Sequence, residues 1–128
     1  MNVLIVDTSC WISYLEGEQS RDLDNALKEG RVFLPPVVIA ELLSGKLSRK
    51  KRDQLSSFLV ELPLCDSGFE HWSMVGELRC KMAKKGIQIS TPDAHIAQCA
   101  MDLDGYLMSS DKIFLQLIGK TALRMIDF

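Results

Sequence analysis

The sequence predicts an α/β fold, a three-layer sandwich with a central parallel sheet. Three observations carry that prediction. Short runs of branched or apolar residues, each ended by a polar turn, recur along the chain and read as strands buried on both faces. Between them lie segments with apolar residues at helical spacing, and strands alternating with helices form βα units. The 128 residues suit one core, a single domain over 1–128, and 47% hydrophobic with 25% charged residues is the content of an ordinary globular chain. There is no internal repeat, linker or low-complexity tract.

Val3 to Val6 is the first strand, and Thr8 or Ser9 can cap a helix whose apolar side includes Ile12 and Leu15. Gly17 stops it, and Leu23, Ala26 and Leu27 mark a second short helix ending at Gly30. Val32-Phe33-Leu34 is the next strand. Pro35-Pro36 then opens a helix from Val37 to Ser44, with Gly45 as its stop. Leu55, Phe58, Leu59 and Leu62 follow amphipathic spacing, and Leu62-Pro63-Leu64 reads as a short edge strand. A long helix runs from Phe69 to Lys85 with Trp72, Val75, Leu78 and Met82 inward, and Gly86 closes it. Thr91-Pro92-Asp93 opens a helix through Met101, in which Ala94, Ala97 and Ala100 allow close packing. Tyr106-Leu107-Met108 is a strand, Asp111 to Gln116 a short helix, and Ala122 to Ile126 the last strand.

Composition excludes several classes. Cys10, Cys65, Cys80 and Cys99 form no C-x-x-C pair and have no histidine at zinc-finger spacing, which argues against a structural zinc site from sequence spacing. Their apolar or helical neighbours fit reduced, mostly buried thiols. Met1 to Val6 has no charged leader region and meets Asp7 at once, so neither a signal peptide nor a membrane anchor is expected, and the expected location is the cytoplasm. The formal net charge is -2. Its distribution is uneven: residues 1–45 carry seven acids against three bases, 46–85 nine bases against five acids, and 86–128 five acids against three bases. A basic middle block between acidic flanks leaves nucleic acid open as a partner.

The active site of an open parallel sheet lies beyond the carboxyl ends of its strands. Asp7 follows the first strand directly, and Asp111 follows the Tyr106–Met108 strand after Ser109-Ser110. Asp93 lies in the first turn of its helix, and Glu41 projects from the apolar segment Val37 to Leu43. Each has a structural reading too. Asp7 and Asp111 are suited to cap helices, and Asp93 complements a helix dipole. Glu41 among apolar neighbours calls for a partner or a cation. Four carboxylates in one pocket repel unless a divalent cation joins them, and an all-oxygen donor set points to Mg²⁺ or Mn²⁺. Such a cluster suits phosphodiester hydrolysis.

The segments Asp7-Thr8-Ser9 and Pro35 to Gly45 resemble the first two blocks of VapC-type toxin ribonucleases of the PIN-domain family. Gly86 to Ala97, containing Thr91-Pro92-Asp93, is similar to the third block, and Leu107 to Phe114, containing Ser109-Ser110-Asp111, to the fourth. The resemblance implies a PIN-like sandwich in which Asp7, Glu41, Asp93 and Asp111 hold one or two Mg²⁺ or Mn²⁺ ions. It implies RNA cleavage by a metal-activated water, leaving a 5′-phosphate and a 3′-hydroxyl. Thr8 and Ser109 match positions whose hydroxyls hydrogen-bond in the acidic pocket, with Ser109 where threonine is more usual. A homodimer and a cognate antitoxin are also implied.

Other residues invite readings of their own. His95 stands two after Asp93, but i and i+2 point to different helix faces, so it is expected to be structural or partly exposed. His71 has no partner signal. Lys46 with Arg49-Lys50-Lys51-Arg52 is the densest basic run, either a solvated helix face or a cradle for an RNA backbone near Glu41. Two further function classes stay open. One is a metal-free RNA- or protein-binding module on the same fold. The other is a phosphoacceptor receiver, which Thr8 after Asp7 fits poorly because receivers place a second acid there. A haloacid-dehalogenase-type phosphatase would need an aspartate where Ser9 stands.

Overall fold

The computed structural model describes residues 2–126. The elements run β1 (Leu4–Val6), α1 (Thr8–Leu15), α2 (Arg21–Lys28), β2 (Val32–Phe33), α3 (Pro36–Leu43), α4 (Arg49–Leu59), α5 (Phe69–Lys84), α6 (Thr91–Asp102), β3 (Tyr106–Met108), a 3₁₀ turn (Lys112–Leu117) and β4 (Met125–Ile126). The four strands form one parallel sheet in the order β2-β1-β3-β4, flanked by helices in the expected three-layer α/β arrangement.

Local chemistry accounts for the helix starts. Asp7 caps α1 by accepting from the Thr8 N–H at 2.8 Å. Ser20, Ser48 and Ser90 each accept, at 3.2 Å, from the backbone N–H three residues on, which satisfies a donor the helix leaves orphaned. Pro36 stands in the first turn of α3, where its missing N–H costs nothing. Gly30 and Gly86 follow α2 and α5 at φ +68° and +78°, a left-handed conformation that favours glycine.

The core sits around β1, which is wholly buried, and α6, buried at every position from Ala94 to Ala100. Alanines at 94, 97 and 100 let α6 lie against both β1 and β3, with α5 packed on it. In α1 the placement of Ile12 and Leu15 on the inward face is corrected, since each is 45% exposed, while Trp11 and Cys10 are buried, as core packing and a buried thiol lead one to expect. Two apolar stripes compete on this short helix, and the one carrying Trp11 has more surface to remove from water. Trp11 meets Phe58 edge-on at a centroid distance of 5.7 Å. A like exchange occurs in α5, where Val75, Leu78 and Met82 face inward as expected, but His71 is buried and Trp72 is 42% exposed. His71 tolerates the interior because both ring nitrogens have partners.

Edge features are shorter than expected. Leu62 to Leu64 contributes one parallel bridge, Leu34 to Leu64, and the last strand begins at Met125. The segment after β3 is a 3₁₀ turn whose N-cap is Asp111, accepting from Ile113 N–H at 3.1 Å. Among the described residues no helix is long and apolar enough to cross a membrane.

Candidate active site

Strand order decides where a site can form. The chain leaves β1 for β2 on one side, then returns to place β3 on the other, so the topology switches direction between β1 and β3. A crevice opens at such a switch point beyond the carboxyl ends of the strands. The register pairs Val6 with Met108, so the next residues, Asp7 and Ser109, stand side by side at its mouth. Asp7 N–H donates to the Met108 carbonyl at 3.0 Å, and Ser109 Oγ donates to Asp7 Oδ2 at 2.8 Å.

Asp7 is buried, yet both carboxylate oxygens are engaged. Oδ1 accepts from Thr8 N–H, and Oδ2 accepts from Ser109 and, at 3.3 Å, from Ser9. Ser109 Oγ also accepts from Asp111 N–H at 3.0 Å, so one hydroxyl joins the loops bearing two of the acids. Glu41 reaches the same place from α3: Thr8 Oγ1 donates to its Oε1 at 2.6 Å. The expectation that apolar neighbours enclose Glu41 is corrected, because it stands exposed beside Leu42, which takes the buried position.

Asp93 completes the group from the first turn of α6. Burial raises its carboxyl above the usual carboxylate range, Ser90 lowers it, and the charges of Asp7, Asp111 and Glu41 raise it further. Asp7, Glu41 and Asp111 therefore all act on Asp93 through space, although the four acids come from four separate segments. An all-oxygen, partly exposed set whose members repel one another fits a hard divalent cation. Cys10 lies close by, but burial pushes its thiol up to about 11, which removes it as a nucleophile at neutral pH.

The basic run divides on the structure. Arg52 donates to the Leu43 carbonyl at 2.7 Å and so caps the end of α3. Arg49 faces Asp53 at 3.9 Å, both largely exposed, a pairing worth little in water. Lys46, Lys50 and Lys51 are exposed. Arg49, Lys50 and Lys51 fill the first turn of α4, where cations oppose the helix dipole, so helix stability does not explain them.

Sequence reasoning missed a second cluster. His71 Nε2 lies 2.7 Å from His95 Nδ1, and His71 Nδ1 lies 2.6 Å from Asp102 Oδ2. His71 thus has partners that the sequence did not signal. Burial, then the neighbouring His71, pushes His95 down to about 4. His95 is fully buried rather than partly exposed, and its face of α6 also carries Cys99. The one local signal was the i, i+4 spacing of His95 and Cys99.

A parallel α/β sandwich with four carboxylates gathered at its topological switch point defines a class of acid-pocket domain. Residues 4–120 match the family model of the PIN domain, and the chain belongs to that family. Its fold is similar to DNA-bound VapBC from Salmonella typhimurium at TM-score 0.82 and 20% identity, covering 99% of this chain and 98% of that one. It is also similar to VapBC2 from Rickettsia felis, bound to a promoter DNA fragment, at TM-score 0.77 and 22% identity, covering 98% of each chain. VapBC-5 from Mycobacterium tuberculosis, a toxin–antitoxin family member, matches at TM-score 0.71 and 20% identity over 100% of both chains. No curated protein sequence matches the chain.

Proposed function

We propose that this chain is a single nuclease domain over 1–128, a Mg²⁺- or Mn²⁺-dependent ribonuclease, and the toxin of a toxin–antitoxin pair. The observation that carries the reading is the convergence of four acids at the switch point of a PIN-family fold: Thr8 bonds both Asp7 and Glu41, Ser109 joins Asp7 to the Asp111 loop, and the charges of all three raise the Asp93 carboxyl. These four side chains would hold the ion. When bound, Mg²⁺ or Mn²⁺ supplies a Lewis acid to the phosphate and lowers the pKa of a water. The chain's own residues keep the acids in place: Ser109 and the Thr8 N–H orient Asp7, and the Thr8 hydroxyl orients Glu41. An antitoxin partner is supported by the similar folds of chains from toxin–antitoxin complexes. Homodimerisation and a cytoplasmic location belong to the same reading.

The test is purified chain with labelled RNA in Mg²⁺, in Mn²⁺ and in chelator. Cleavage that requires the cation supports the reading. RNA binding without cleavage under every condition supports a metal-free binding module instead.

Two further outcomes follow. Removing the Ser109 hydroxyl leaves Asp7 Oδ2 and Asp111 N–H without their shared partner. Ser109→Ala should therefore weaken the apparent cation affinity about 10- to 100-fold in a titration of cleavage rate against Mn²⁺. Ser109→Thr keeps the hydroxyl and should stay near wild type. For the basic run, Lys46, Lys50 and Lys51 changed together to Gln should weaken RNA binding and flatten its salt dependence. The expected loss is about 0.7 in log–log slope for each phosphate contact removed. Arg52 is left intact because it caps α3. An unchanged slope would take the run out of the RNA path.

A further inference from the structure

Away from the acid pocket, His71 on α5 and His95 and Cys99 on α6 offer ligand atoms that all lie within 4.8 Å of one another, and all three residues are buried. Cys65, buried just before α5, lines the same cavity as His71 and Cys99, and its nearness pushes the Cys99 thiol up. We propose that Cys65, His71, His95 and Cys99 form a tetrahedral zinc site that ties α5, α6 and the Leu64-Cys65 edge together.

The donor chemistry is the first argument. Two thiols and two imidazoles make the S₂N₂ set that suits Zn²⁺, and two thiolates would balance its charge in a buried place. Distance is the second. Zn–N near 2.0–2.1 Å and Zn–S near 2.3 Å put tetrahedral N–N and N–S pairs about 3.3 and about 3.6 Å apart. The structure has 2.7 Å between His71 Nε2 and His95 Nδ1, and 4.0 Å between His95 Nδ1 and Cys99 Sγ. These two pairs would shift by about half an ångström, and the widest pair among His71, His95 and Cys99, within 4.8 Å, by about 1 Å, to admit the ion.

The surroundings are the third argument. A ligating histidine donates its other N–H to a carboxylate that fixes the tautomer. Asp102 stands 2.6 Å from His71 Nδ1 and is itself held by Gln98 Nε2 at 2.8 Å. With that proton on Nδ1, the Nε2 lone pair of His71 points at the cluster. Trp72 stacks on His95 at 4.5 Å and fixes its ring plane. An entry path exists as well: a pocket of about 380 Å³ is lined by Cys65, His71, Cys99 and Asp102, with exposed Asp66 and Glu70 at its rim. Four protein ligands close the coordination sphere, so the ion would hold the fold together and take no part in hydrolysis. The donors come from three separate segments, which is why no short cysteine motif marks them.

The experiment is a titration of the reduced, metal-stripped full chain with Co²⁺ alone, followed by Zn²⁺. The expected result is tetrahedral Co²⁺ absorption with a thiolate charge-transfer band, saturating at one ion per chain and erased by an equivalent of Zn²⁺. Zn²⁺ should also raise the Tm of the metal-stripped chain. Cys65→Ser with Cys99→Ser should abolish the charge-transfer band, whereas Asp7→Asn and Cys80→Ser should keep it. A wild-type spectrum with no thiolate band overturns the proposal, whether or not the variants fold. So does a band that survives the double substitution. Oxygen-bound Co²⁺ in the acid pocket gives no thiolate band, so failure here leaves the nuclease reading untouched.

Discussion

Asp7→Asn is expected to lower RNA cleavage at saturating Mn²⁺ by at least about a hundredfold, since a cation at a phosphoryl centre contributes several kcal/mol of transition-state stabilisation. Asparagine is as good an N-cap as aspartate, so it can keep the contact to the Thr8 N–H and leave α1 intact. The substitution therefore separates the charge from the cap. Asp93→Asn should lose activity comparably and raise the Tm of the metal-free chain. Its native carboxyl holds a proton more tightly than in the unfolded chain, because burial and three acidic neighbours oppose its charge. A group with a raised native pKa favours the fold at low pH and opposes it once ionised, so removing the charge at neutral pH is stabilising. Cleavage undiminished in either variant, purified alongside the wild type and free of host nuclease, would take these acids out of the site.

The second large effect is on stability. Gly105 precedes β3 and runs against β1 so closely that an added Cβ would meet the Val3 carbonyl oxygen at 2.5 Å. That oxygen accepts from Tyr106 N–H at 2.9 Å, the contact through which β3 joins β1. The obstacle is the Val3 backbone and its Cβ, where the central strand pair begins, with no flexible side chain end to move aside. Gly105→Ala is thus expected to destabilise by about 3 kcal/mol, the upper end for overpacking, read as a lower urea midpoint with m unchanged. An unchanged midpoint would mean that the β1–β3 register relaxes freely.

How much could be read from sequence depended on how local the cause was. Val3–Val6 and Tyr106–Met108 are branched or apolar runs bounded by turns, and they form β1 and β3 at the core of the sheet. Thr91-Pro92-Asp93 is a local helix start, and α6 begins there. The acids were legible by position, Asp7 after one strand and Asp111 after another, because a residue at a strand end has few places to go. Their convergence needed the strand order, which no local pattern encodes. The inward face of α1 was lost because Ile12 and Leu15 offer the same spacing signal as the stripe with Trp11. The His71–His95 contact escaped for a related reason: its partners sit on different helices, and only the packing of α5 on α6 brings them together.

The hydrogen bond from Ser109 to Asp7 spans 102 residues of chain. It sets the order of events during synthesis. While a ribosome is still making the first hundred residues, β1 has β2 as a neighbour but nothing on its other edge, and the Asp7 carboxylate lacks the hydroxyl that aims it. Parallel pairings between distant segments form late, after the loop between them has been closed. A nascent chain therefore carries Asp7 and Glu41, but neither Asp93 nor Asp111, for most of its elongation, and the pocket is assembled only as the final segments emerge.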